Sequence, residues 1–175
     1  MTDAGDSDST LADVRPVERG PRRTRARSAV VGLLLVIVLA GALGLFGVRS
    51  TTTTASAGGY TLSVTHAWVA RAGLDVPWSV ELRRDGGFDG PVTVAVTGEY
   101  LDIYEEQGLD PEPASQTADA QDVYWTFDPP PGDTLGIDFD AYIQPASQWG
   151  ASGTVAVVED GRRVVSVDFT TALVP

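Results

Sequence analysis

Two hydrophobic rhythms divide the chain. The first is an unbroken apolar run over residues 28–48, SAVVGLLLVIVLAGALGLFGV, with no charge and no polar side chain beyond its opening serine. As an α-helix rising about 1.5 Å per residue it reaches roughly 31 Å, the thickness of a bilayer's hydrocarbon core. The run predicts one transmembrane helix. The second rhythm starts at Tyr60 and has a period of two. Tyr60, Leu62, Val64, His66 and Trp68 share one side of an extended chain, and Thr61, Ser63 and Thr65 the other. Val76, Trp78, Val80 and Leu82 repeat the pattern; so do Val92, Val94 and Val96, then Val123, Trp125 and Phe127, then Leu135, Ile137, Phe139, Ala141 and Ile143. Alternation of this kind marks strands with one buried face.

Turn residues punctuate these runs, as in Asp85-Gly86-Gly87-Phe88-Asp89-Gly90-Pro91 and Pro129-Pro130-Pro131-Gly132. Near the end of the chain, residues 154–158 and 163–170 flank Glu159-Asp160-Gly161-Arg162. Asp-Gly favours a type I′ turn, which sets Glu159 opposite Arg162. In an uninterrupted hairpin Val158, Val165, Val167 and Phe169 face the core. Val157 and Val164 then face outwards, a surface suited to association with another subunit. Seven to eight strands over residues 60–175, with turns every 8–12 residues, predict an all-β domain: a single immunoglobulin-like antiparallel β-sandwich. Residues 49–59, RSTTTTASAGG, read as a polar linker between helix and sandwich.

Residues 99–121 break the strand rhythm. Residues 100–107 (YLDIYEEQ) suit one or two helical turns ended by Gly108, and the remainder is loop-like. Insertions of this length are often functional. Two tyrosines among carboxylates suit an interface, so Tyr100, Tyr104, Glu105 and Glu106 are candidate partner contacts. In the competing reading Leu101, Ile103 and Leu109 simply cap the end of the sandwich.

Charge sets the orientation. Arg22, Arg23, Arg25 and Arg27 crowd the N-terminal side of the apolar run, and Arg49 alone closes the other. Excess positive charge beside a span stays in the cytoplasm. Residues 1–27 are therefore expected inside, as a disordered tail with a basic juxtamembrane segment, and the β-domain outside. Ala55-Ser56-Ala57 offers a signal-peptidase pattern, but the apolar run exceeds the roughly 7–15 residues of a signal peptide's core. An uncleaved anchor is the better reading. Ala40 and Gly44 give the helix small residues for weak pairing with a second span. From Ser50 onward nineteen acidic residues face five arginines, a net charge of −14. That balance excludes a nucleic-acid partner and argues against docking on an anionic membrane surface.

Candidate chemistry is sparse. With no cysteine the chain has no disulfide, thiolate metal site or thiol nucleophile. Its one histidine, His66, falls with Leu62 and Val64 and reads as a partly buried or edge residue bonded to backbone. No lysine is present for a Ser–Lys dyad, and no serine sits in a Gly-x-Ser-x-Gly elbow. Asp128, Asp133, Asp138 and Asp140 are weak candidates for a calcium site, against the plainer reading of a solvated acidic face. Asp102, Glu105, Glu106, Asp110 and Glu112 form a second acidic group; a hydrolase using two of these carboxylates is a third reading, disfavoured because a sandwich this small is expected to hold no deep cleft. The expectation is a non-catalytic interaction module with no cofactor. Its partner is expected to be another membrane or envelope protein, with a calcium- or carbohydrate-binding surface module as the alternative.

The runs GLDVPWSVELRRDGGFDGPVTVAV, DVYWTFDPPPGDTLGIDFDAYIQP and SGTVAVVEDGRRVVSVDF resemble uncharacterised single-pass membrane proteins of actinobacteria. More loosely they are similar to the immunoglobulin-like modules of bacterial surface proteins. The resemblance covers residues 60–170. It implies a fold and a setting, the outer face of a prokaryotic plasma membrane, and carries over no catalytic residue.

Overall fold

A computed structural model describes residues 21–44, 47–105 and 108–174; the tail expected over residues 1–20 lies outside them. The chain divides into two units, Met1–Phe46 and Gly47–Pro175. In the first, helix α1 (Pro21–Ala42) opens on a proline, which suits the first helical position because its missing N–H has no partner there anyway. Its stretch Thr24–Ala42 has mean hydropathy 1.8 and is long and apolar enough to cross a membrane. Its apolar side chains are exposed all round, among them Leu33, Val36 and Val38. The helix begins seven residues before the predicted span of 28–48 and ends six before it. Its last bonds run from the Leu43 N–H to the Leu39 carbonyl and from the Gly44 N–H to the Gly41 carbonyl. Gly44 thus lies past the helix end, and Ala40 and Gly44 do not share a helical face.

The second unit is built on strands. Strand β1 (Arg49–Ala57) occupies the segment expected to be a linker. It pairs antiparallel with β2 (Tyr60–Ala70). Gly58 and Gly59, at φ 60° and 83°, make the two-residue turn, a conformation that costs glycine no steric penalty. Three cross-strand hydroxyl pairs line the outer face: Thr52–Thr65 at 2.8 Å, Thr54–Ser63 at 2.9 Å and Ser56–Thr61 at 3.0 Å. Threonine favours extended backbone, and such pairs reward it. A polar run becomes a strand because its neighbour offers hydroxyls in register.

Next come β3 (Asp75–Val76), β4 (Ser79–Arg84), β5 (Val92–Thr97), the short helix α2 (Gly98–Leu101), β6 (Leu109–Asp110) and β7 (Ser115–Ala118). They are followed by β8 (Asp122–Phe127), β9 (Thr134–Phe139), β10 (Ala141–Tyr142), β11 (Ala151–Glu159) and β12 (Arg162–Leu173). Nine strands run in the order β6-β9-β4-β2-β12-β11-β5-β8-β7, with β1 joined to β2; β3 and β10 form a separate pair. Long β12 closes the architecture. Most of its length pairs with β11, and its last residues, Ala172 and Leu173, pair parallel with Val69 and Ala70 of β2. The sheet curls so that the inner faces of its two halves share one core. Trp78 lies at the centre, edge-on to Trp125 at 6.1 Å and to Phe139 at 5.7 Å.

Two register shifts depart from the expected alternation. Between β1 and β2, Arg49 pairs with Val69 but Ser50 with Ala67, so Trp68 is an extra residue on the ladder and turns outwards, 44% exposed. Between β11 and β12, Val158 pairs with Arg163 but Val157 with Val165, which leaves Val164 as the extra residue. Val157 is consequently 1% exposed, and Val164 packs on the core instead of forming an outward surface with it. A Cβ on Gly58 would lie 2.1 Å from Val164, so the β1–β2 turn covers that side chain. A bulge inverts parity for every residue beyond it, which is why the two valines expected on an open face are not there.

Candidate functional site

The insertion after β5 is stitched down rather than free. Tyr100 is fully buried and Tyr104 nearly so, which removes both from the partner surface expected of them. Their hydroxyls make burial tolerable. Tyr104 and Tyr100 are 2.6 Å apart at their hydroxyls, Tyr100 and Thr171 2.9 Å, and the Thr171 hydroxyl donates to the Ala67 carbonyl at 2.6 Å. A carbonyl only accepts, so Thr171 spends its proton there and accepts from Tyr100, which accepts from Tyr104. The relay runs in one direction, Tyr104 to Tyr100 to Thr171 to Ala67. Burial holds both phenols above their ordinary range, and they stay neutral. A Cβ on Gly153 would meet Tyr100 at 2.8 Å, so the ring sits directly on glycine backbone.

Beyond Tyr104 the Glu105 N–H donates to the Tyr142 carbonyl at 2.9 Å. The Gln144 amide donates to the Tyr104 carbonyl at 2.7 Å, and Ser147 to the Ile103 carbonyl at 3.2 Å. Glu105 itself is exposed. Glu106 lies outside the described residues.

This arrangement walls a cavity of about 580 Å³. Glu99, Asp102, Glu105 and Asp119 line it together with Tyr104, Trp125 and Phe139. Asp119 is occupied: it accepts from the N–H groups of Asp122 and Gln121, each at 2.8 Å, and from the Tyr124 hydroxyl at 2.7 Å. Those donors, the Asp122 N–H first, hold its carboxyl below the usual carboxylate range. Asp122 is buried and paired with Arg163. Glu99, Asp102 and Glu105 have no such duty among the described hydrogen bonds and ion pairs. Sequence reasoning grouped Asp102 and Glu105 but missed Glu99 and the cavity itself, since the other wall comes from residues 116–125.

The remaining candidates are scattered. Asp133 accepts from Arg83 at 3.1 Å and from the Thr134 hydroxyl at 3.0 Å, and Thr134 foremost, then Arg83, lowers its carboxyl. Asp138, near the other end of β9, is about 17 Å away at 3.4 Å per residue, and Asp140 lies just beyond that end. Among the described residues no three His, Asp or Glu side chains gather as a cation site.

His66 is buried against Phe169, with ring centroids 5.0 Å apart. Burial pushes its imidazole below its ordinary 6.5, with the backbone of Val64 and Thr170 acting the other way. The unfolded chain therefore takes up a proton before the folded one does. The stability that neutral His66 allows is complete above about pH 6.5 and falls as pH drops towards the folded value, by at most about 1.4 kcal/mol per pH unit. Urea unfolding at pH 7 and pH 5 will show this loss in the parent and a smaller one in His66→Phe. An equal loss in both would assign the acid sensitivity to other groups. No protein-family model matches the chain, and no curated protein matches it in sequence.

Proposed function

We propose that the chain is a single-pass protein of a prokaryotic plasma membrane that holds a non-catalytic, immunoglobulin-like interaction domain on the outer side. The observation that carries this is α1: a helix with an arginine cluster in its first turns and apolar side chains exposed all round thereafter, on a chain whose β-domain has a complete core of its own. An apolar surface of that kind needs lipid, and the arginines keep its leading end in the cytoplasm. Ala55-Ser56-Ala57 lies inside β1, paired with residues 60–62, so cleavage after Ala57 would remove a strand of the domain. The immunoglobulin-like reading draws on the antiparallel order, the single parallel pairing of β2 with β12 and the central Trp78. The resemblance to actinobacterial single-pass proteins fits the same picture.

The contact surface in this reading is the cavity beside the insertion, where Glu99, Asp102 and Glu105 suit a basic segment of another envelope protein. The chain lacks cysteine, so single cysteines report on it cleanly. In intact cells Asp102→Cys will react with a membrane-impermeant maleimide, and Thr2→Cys will not. A photo-crosslinker on that cysteine will give one discrete adduct, lost when Glu99 and Glu105 are both replaced by lysine. Reversed labelling would overturn the topology, and an adduct indifferent to the lysines would overturn the contact surface.

A further inference from the structure

We propose that the end of the β-domain bearing Trp68 and Trp149 rests in the headgroup layer of the bilayer that α1 spans. The inference rests on the anchored reading above and adds a lipid contact to it. Four large apolar side chains are exposed among the described residues of the β-domain: Trp149 (83%), Trp68 (44%), Leu74 and Val174. All four belong to one end. Trp68 precedes Val69, which pairs with Ala172, and the Val174 N–H donates to the Ala70 carbonyl at 2.9 Å. Leu74 follows β2, four residues beyond Ala70. Trp149 precedes Gly150, whose added Cβ would lie 1.9 Å from the Thr171 carbonyl oxygen. Single exposed apolar residues are ordinary, but a domain that gathers all of them at one end is marking a contact.

Connectivity and side-chain chemistry name the occupant. Charge at this end is mixed: Arg49 and Arg71 stand here, but Asp75 follows Leu74, and Asp102 and Glu105 flank Ile103, whose carbonyl is bonded by Ser147. The net charge of −14 argues against an anionic surface, so the headgroups this end meets are those of a zwitterionic lipid. Arg49 opens β1 opposite Val69, next to Trp68. It follows Ala42 of α1 by seven residues, at most about 25 Å of extended chain. The end that bears the exposed apolar side chains is therefore the one from which the chain passes to the apolar helix. Tryptophan, with an apolar ring and one N–H donor, is the side chain that settles at the membrane–water boundary.

The test uses the full chain reconstituted in phosphatidylcholine vesicles, with and without a lipid carrying a nitroxide near its headgroup. Trp78 and Trp125 are buried, so Trp68 and Trp149 are the tryptophans such a quencher reaches. The nitroxide lipid will reduce tryptophan emission, and Trp68→Phe/Trp149→Phe will abolish that reduction. Aqueous iodide will quench the parent less than it quenches the unfolded chain. Emission untouched by the nitroxide but quenched by iodide would overturn the proposal, because that end would face water. Emission reached by neither would overturn it in favour of coverage by a second copy. A chain that fails to float with the vesicles would bring down the anchored reading together with this one. Flotation without nitroxide quenching would remove this inference alone.

Discussion

Val157→Glu will leave the β-domain unfolded under conditions where Val158→Glu leaves it folded. Val157 sits where three strands meet, opposite Val165 of β12 and Val94 of β5, and all three are buried. A glutamate there forfeits the burial of a valine, about 1.5–3 kcal/mol, and must either desolvate its charge or take up a proton. Together these exceed about 4 kcal/mol, a large part of the roughly 5–15 kcal/mol that holds an ordinary domain. One residue on, Val158 is half-buried and pairs with Arg163, so the same side chain meets an opposite charge beside solvent. Urea unfolding of the full chain in detergent, followed by tryptophan fluorescence, separates the two variants. Equal midpoints would mean that the bulge at Val157/Val158 is absent and that Val157 faces outwards after all.

That contrast shows where sequence reasoning holds and where it stops. Alternation carries face information over short runs. Leu62, Val64, Val80, Leu82, Leu135 and Ile137 all face inwards as their spacing dictates. The type I′ turn is also legible: Asp160 and Gly161 take φ 49° and 72°, and Glu159 pairs with Arg162. A one-residue bulge adds no distinctive residue type yet inverts everything beyond it, so alternation alone puts Trp68, Val157 and Val164 on the wrong side. β1 escaped notice for another reason. Its threonines and serines are polar on both faces, and the hydroxyl pairs that justify a strand lie on β2. The cavity was half visible. Asp102 and Glu105 stand out as a cluster, whereas Asp119 and Trp125 reach the same space only because β8 pairs with β5.

Tyr100→Ala will cost the domain about 3–5 kcal/mol, and Tyr100→Phe about 1–3 kcal/mol. The alanine variant empties a site enclosed by Tyr104, Phe169 and Gly153, with Phe169 edge-on at 4.7 Å. Gly153 offers no side chain to fill the void, so the cavity term adds to the lost burial. The phenylalanine variant keeps the ring and removes the middle of the relay. Thr171 still donates to Ala67, but the Tyr104 hydroxyl loses its acceptor in a dry setting. Tyr104→Phe in that background then removes the orphaned hydroxyl, so the double variant will be no less stable than Tyr100→Phe alone, a sign that the two residues act as one unit. The consequence reaches the candidate contact surface, because Tyr100 and Tyr104 pin both ends of the segment that supplies Asp102. Amide exchange over residues 98–105 will quicken in Tyr100→Phe while the β11–β12 hairpin keeps its protection. If instead the whole domain exchanges faster in step, the relay supports the fold as a whole, and the insertion has no independent stability that a partner could exploit.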